Sequence, residues 1–241
     1  MTIADKLQTV AENQQRVYDA GAKSEYDRFW DSYQDYGNRK GILGIFAGSG
    51  WTAETFKPKY SFGGTTSTYD NAFYACGVTG DLVEILKDLN IEFITTGLVY
   101  GANMFRQSKF TRIGVLDFSK ATSLNQCFQE SKVVTIDKVI VSETTTMSTS
   151  AFAYALNLEN ITFEGVIAKT VHIIQSTKLS HDSIVNIINT LSTTATGQSL
   201  ALSKTAVNKA FETATNAKDG STSTEWATLI ATKPNWTISL V

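Results

Sequence analysis

The sequence predicts an α/β repeat fold: a short solenoid of stacked strand-and-turn units, with an α-helix before it and an α/β cap after it. Three observations carry that expectation. Phe105, Phe128, Phe152 and Ile174 stand 23, 24 and 22 residues apart, and a similar local pattern trails each. Residues 1–36 carry helical periodicity, and residues 183–241 alternate helix and strand signals.

The amino-terminal helix rests on Ile3, Leu7, Val10 and Val17, which share one face, behind a Thr2/Asp5 start of capping-box type. Glu12 with Arg16 and Asp19 with Lys23 pair at i and i+4 on the polar side. Helical spacing passes the weak point at Gly21, continues through Tyr26, Phe29, Trp30, Tyr33 and Tyr36, and ends at Gly37. Its heptad-like apolar face leaves two destinations open, parallel self-association or packing against the chain's own body. The aromatic crowd of this helix, with Trp51, reads either as a docking surface or as filler at a junction. Residues 37–71 read as a linker or small amino-terminal cap, with strand-like pieces at Ile42 to Phe46 and Tyr60 to Phe62.

The repeat proper is expected over residues 72–182. Counting from each leading apolar residue, a small side chain falls at offset three: Ser108, Ser131, Ala155 and Thr177. Phe110 and Ile113, then Val133 and Ile136, follow at offsets five and eight, and Leu158 and Ile161 reach the same places after one inserted residue. Phe73 and Cys76 keep the offset of three upstream, but the 32 residues from Phe73 to Phe105 exceed one unit, so an insertion is expected. A period of about 20 to 29 residues is that of leucine-rich-repeat solenoids, whose units bury their apolar faces only by stacking.

The carboxyl-terminal cap starts with a helix bearing Ile184, Ile187, Ile188 and Leu191, with Ser180 and Asp182 as N-cap candidates. A strand at Leu200 to Leu202, a helix around Ala206 to Ala214 and a turn at Asp219-Gly220 follow. A helix from Thr224 to Thr232, stopped by Pro234, leads to alternation at Trp236, Ile238 and Leu240.

Composition narrows function. Net charge is −2 and only 18% of the 241 residues are charged, so no electrostatic case exists for nucleic acid or an anionic membrane. No basic stretch with a following apolar run opens the chain and no run approaches 18 apolar residues, so neither a secretory leader nor a membrane span is expected. Cys76 and Cys127 lie at or beside core positions and read as buried thiols or as a disulfide pair. His172 and His181 are the two histidines; His181-Asp182-Ser183 has triad residue types, but neighbours at a helix start do not form the required relay. The two cysteines and two histidines are too widely spaced for zinc, and Gly48-Ser-Gly50 and Gly63-Gly64 lack the P-loop lysine and read as turns. No catalytic, cofactor-binding or metal residue is therefore expected, and binding residues stay unassigned.

Ala72-Phe-x-x-Cys76 and Ala151-Phe152, each leading a small-residue and apolar series, resemble the BspA-type leucine-rich repeats of bacterial surface proteins. The leading block, Ala11 to Gly21, Glu25 to Trp30, Phe46 to Trp51 and Phe56 to Tyr60, is similar to repeat proteins encoded by phages and prophages of gut bacteria. The resemblance implies a non-enzymatic virion protein of the tail, baseplate or fibre, made in the host cytoplasm. Its partners would be other virion proteins through the helix and a host surface protein or glycan, with a homotrimer as the helix-driven assembly. A bacterial cell-surface adhesin is the alternative.

Overall fold

The computed structural model of the chain describes residues 46–58, 61–63, 69–212 and 222–241. The helix expected over residues 1–36, most of its aromatic crowd and the turn at Asp219-Gly220 lie outside them. The chain is mixed α/β, and every pair of strands in its three sheets is parallel.

In chain order the described elements are β1 (Phe62–Gly63), β2 (Gly80–Asp81), α1 (Leu82–Asp88), β3 (Phe93–Ile94), β4 (Phe110–Asp117), β5 (Thr135–Val141) and β6 (Asn160–Gly165). They continue as β7 (Val171–Ile173), α2 (His181–Thr190), β8 (Gln198–Leu202), α3 (Lys204–Ala210), α4 (Thr224–Ala231) and β9 (Trp236–Leu240). The sheets are β1-β3, β2-β4-β5-β6 and β7-β8-β9. In the second sheet Ile113 pairs with Ile136 and Ile136 with Ile161, so strands rich in Val and Ile lie side by side with their apolar residues in register. Gly165 ends β6 with φ +95°, and a Cβ there would sit 2.0 Å from Val141 O, a place that admits no side chain.

Five phenylalanine rings stack in a column beneath the turn segments that precede these strands. Phe46 lies 5.4 Å from Phe73, Phe73 5.0 Å from Phe105, Phe105 5.8 Å from Phe128, and Phe128 5.1 Å from Phe152. Interplanar angles do not exceed 18°, and all five rings are buried. Around each ring the backbone alternates two jobs. The Phe105 amide donates outward to Cys127 O at 2.8 Å, while the next amide, Arg106, donates back to Asn103 O at 3.1 Å. The same alternation recurs at Phe73 and Tyr74, and at Phe128 and Gln129. It needs positive φ two residues after the ring, at Gly48 (106°), Ala75 (53°), Gln107 (58°), Glu130 (57°) and Tyr154 (57°). Four of those five residues are not glycine, so the stacked bonds hold side-chain residues in a left-handed conformation they otherwise avoid.

Four expectations need correcting. Ile174 is half-buried and Thr177 exposed, whereas Ile173, Ser176 and Leu179 are fully buried. The fourth window is therefore anchored one residue early, at Ile173, because β7 places residues 171 and 173 on its inner face. The ring column begins at Phe46, inside the segment read as a linker or small amino-terminal cap, and Phe46 sits in a turn where a strand was expected. The helix expected to reach Ala214 ends at Ala210, since Phe211 leaves the helix to pack on His181 (4.8 Å) and Trp226 (5.3 Å). Gly63 belongs to β1 and is not a free turn.

The insertion between Phe73 and Phe105 is α1 with β3. Asp81 caps α1 by accepting from the Val83 (2.8 Å) and Glu84 (3.3 Å) amides, and Leu82 and Leu86 turn inward. Phe73 nevertheless stacks directly on Phe105, so the extra residues loop out without breaking the column. Cys76 and Cys127 are both buried free thiols, and burial pushes Cys76 up to about 11. Among the described residues no helix is long and apolar enough to cross a membrane.

Candidate functional site

The side chains that do not repeat converge on the outward face of β4, β5 and β6. Ile113 and Leu116 of β4, Ile136 and Val139 of β5, and Ile161 and Phe163 of β6 are buried; β6 alternates, whereas β4 and β5 bury every third residue here and the β5–β6 register shifts between Ile136 and Val139. Arg112, Val115, Asp117, Asp137, Lys138, Ile140 and Glu164 are left at least partly exposed. Arg112 sits between two carboxylates: its Nε donates to Asp137 Oδ1 (2.8 Å), Nη2 to Asp137 Oδ2 (2.9 Å) and Nη1 to Asp81 Oδ2 (3.2 Å). That fork holds the guanidinium charged and fixed across β2, β4 and β5. Lys138 Nζ reaches Glu164 Oε2 at 2.6 Å on the next strand pair. The Lys138–Glu164 pair is solvent-exposed and the Arg112 fork part-buried with solvent access, so both define the surface more than they stabilise it.

Beside this charged ladder runs an apolar trough. One groove of about 260 Å³ lies between α1 and β4, with Val83, Leu86, Phe93 and Val115 in its wall. It adjoins a second of about 320 Å³ that shares Phe93 and Val115 and continues to Asp117 and Ile140. Gly114 lies under α1: a Cβ there would come 3.0 Å from Val83 Cγ2, a contact tight enough that the valine would have to shift. Val115 is 54% exposed and lines both grooves, a large apolar side chain open to solvent. Such a surface can hold an extended polar ligand by hydrogen bonds and an apolar group in the trough.

The histidine readings resolve differently. Ser180, and not Asp182, caps α2 by accepting from the Ser183 amide; Asp182 lies in the first helical turn, where its charge favours the helix dipole. His181 faces Asp182, with Nδ1 at 3.3 Å from Oδ1. Its Nε2 meets Glu225 Oε1 at 2.7 Å. With a carboxylate on each ring nitrogen the imidazole is held above its ordinary pKa, chiefly by the Glu225 hydrogen bond, and neither nitrogen is directed at Ser183. Ser183 instead accepts from the Ile161 amide at 2.9 Å and donates to Glu159 O at 3.3 Å. This geometry ties α2 to α4 and β6; it is not a relay. His172 Nε2 lies 3.2 Å from Ser199 Oγ, and among the described residues no carboxylate bonds it. No cluster of three metal-ligating side chains occurs among the described residues. Trp51 meets Phe46 (5.5 Å) and Phe56 (6.4 Å) edge-on, which fits the filler reading for this one ring.

No protein-family model matches the chain, and neither the curated proteins nor the solved structures compared with it give a match. The strand-face residues were not singled out by sequence. Their signal was present as the variable positions between recurring apolar ones, but one chain does not say which variable positions converge.

Proposed function

We propose that this chain is a non-enzymatic bacteriophage structural protein, of the tail, baseplate or fibre, in which residues 72–182 form a short BspA-like leucine-rich-repeat solenoid that displays a binding face. The ring column, and parallel pairing such as Ile113 with Ile136, support the solenoid part of this reading. The observation that carries the binding part is the contrast between the two faces of β4, β5 and β6. The inner face is apolar strand after strand, while the outer face sets the Arg112 fork, the Lys138 and Glu164 pair and the Val115 trough side by side. Residues that change from strand to strand on a rigid parallel sheet suit recognition of one extended ligand, a host surface protein or a glycan. The amino-terminal segment attaches the chain to other virion proteins and forms the homotrimer.

Mass spectrometry of purified particles tests the assignment: the protein is expected in stoichiometric amounts with other structural components. Its absence from particles, together with labelling on intact cells that carry no induced phage, would replace this reading with the cell-surface adhesin. For the face itself, Arg112→Ala with Val115→Asp is expected to abolish attachment of purified protein to host cells without lowering its melting temperature.

A further inference from the structure

The two sheets that flank α2 end in different ways. The outer edge of β6 is closed by side chains of α2: the Ile161 amide donates to Ser183 Oγ (2.9 Å) and the Phe163 amide to Asn186 Oδ1 (2.6 Å). Asn186 Nδ2 returns a bond to Phe163 O at 3.1 Å. β9, at the edge of the β7-β8-β9 sheet, has no such cover among the described residues. The Val241 amide donates to Leu202 O (3.0 Å) and the Lys204 amide to Val241 O (2.9 Å), so Thr237, Ser239 and Val241 aim their backbone groups at β8. Strand alternation then turns the N–H and C=O groups of Ile238 and Leu240 outward.

Devices that blunt an exposed edge are missing here. Residues 235–241, Asn-Trp-Thr-Ile-Ser-Leu-Val, contain no charged side chain, proline or glycine, and the pairing with β8 runs without a bulge. The cation nearest in sequence, Lys233, is turned away, its amine on the carbonyls of Asn189 and Leu191. The order of side chains is also symmetric about Ile238: apolar, polar, apolar, polar, apolar from Trp236 to Leu240. A charged strand laid against itself would oppose like charges; this one opposes none. Paired antiparallel with its own copy, it would set Ile238 against Ile238, Trp236 against Leu240 and Thr237 against Ser239, each match apolar with apolar or hydroxyl with hydroxyl.

We propose that β9 is a homotypic docking edge, at which two copies of the chain pair antiparallel about a two-fold axis at Ile238 and join their three-stranded sheets. This pairing is independent of the virion assignment and of any association through residues 1–36.

Light scattering on the full chain tests it. Ile238→Lys opposes two ammonium groups at the axis and is expected to lower the mass at least twofold, with circular dichroism and melting temperature retained. An unchanged mass for the folded variant would overturn the proposal, and would leave any oligomer to the amino-terminal segment or to a different partner strand. Disulfide trapping tests the register and decides the matter if Ile238→Lys does not fold. Thr237 and Ser239 would face each other at a Cα separation of about 4.5 Å. A mixture of Thr237→Cys and Ser239→Cys chains is therefore expected to give severalfold more air-oxidised dimer than either variant alone. Equal yields in the three samples, or no dimer in any, would rule the pairing out. Cys76 and Cys127 are buried and do not compete.

Discussion

In the phenylalanine column each turn segment makes the bonds its neighbour makes: the Phe105 amide meets Cys127 O at 2.8 Å, and the Phe128 amide meets Ala151 O at 2.8 Å. In the carboxyl-terminal sheet the bonds are individual. Lys233 Nζ reaches Asn189 O (2.9 Å), Asn235 Nδ2 reaches Thr193 O (2.9 Å) and Trp236 Nε1 reaches Ser192 O (2.8 Å), each spanning 42 or 44 residues. The first region is held by many equivalent contacts between successive turns, so an insertion the size of α1 passes without interrupting the stack. The second adds to its β7-β8-β9 ladder a few individual side-chain bonds, and one of them comes from the 7% exposed Lys233, an ammonium buried at the end of α2. Burial lowers its pKa, while the carbonyls at the helix C-terminus attract its charge.

Substitutions separate the two modes of support. Phe128→Ala removes a ring stacked on both sides and is expected to cost about 3–5 kcal/mol in urea unfolding. A loss below about 1 kcal/mol would mean the column does not carry the region. Lys233→Met keeps the length but leaves two carbonyls without their donor, with an expected loss of about 1–3 kcal/mol. Hydrogen exchange should localise that loss to residues after Val171; uniform loss across the chain would erase the distinction between the regions. Glu130→Val, a β-branched residue at φ 57°, is expected to cost about 1–2 kcal/mol, whereas Glu130→Gly stays near neutral. Similar costs for both would remove the backbone account of the turns. Ser131 is buried with a hydroxyl that has no partner, so Ser131→Ala is expected to leave stability unchanged or raise it by up to about 1 kcal/mol.

The smallest effect belongs to His181, whose ring is part-exposed. Its folded pKa is raised by Glu225, so its contribution is complete below the unfolded value near 6.5 and is lost as pH climbs through the higher folded value. Melting temperature should therefore fall slightly from pH 6 toward pH 8 in the wild type, relative to His181→Gln. Parallel pH profiles for the two proteins would show that the Glu225 contact contributes nothing.

Much of the local structure was legible because periodicity reports burial. Phe73, Phe105, Phe128 and Phe152, their small partners Cys76, Ser108, Ser131 and Ala155, and the helix of Ile184, Ile187 and Ile188 were read from spacing and are buried. Errors arose where one residue of slippage looked equally good, as at Ile173 and Ile174, both isoleucine. Others arose where a ring's destination overrode helix propensity, as at Phe211. The candidate face was not legible: Arg112 finds Asp81 and Asp137 on different strands 31 and 25 residues away, and nothing local marks that meeting.

The sequence by itself determined which residues turn inward and where turns separate them, because apolar spacing and small side chains act over a few residues and leave a periodic trace. Tertiary structure alone decided that Phe46 joins the column, that α1 lies over Gly114 beside a trough, and that α2 closes the edge of β6 while no described residue covers the edge of β9. Those outcomes depend on which parallel strand lies beside which. Hydrogen bonds across strands impose that register, and no single strand encodes it.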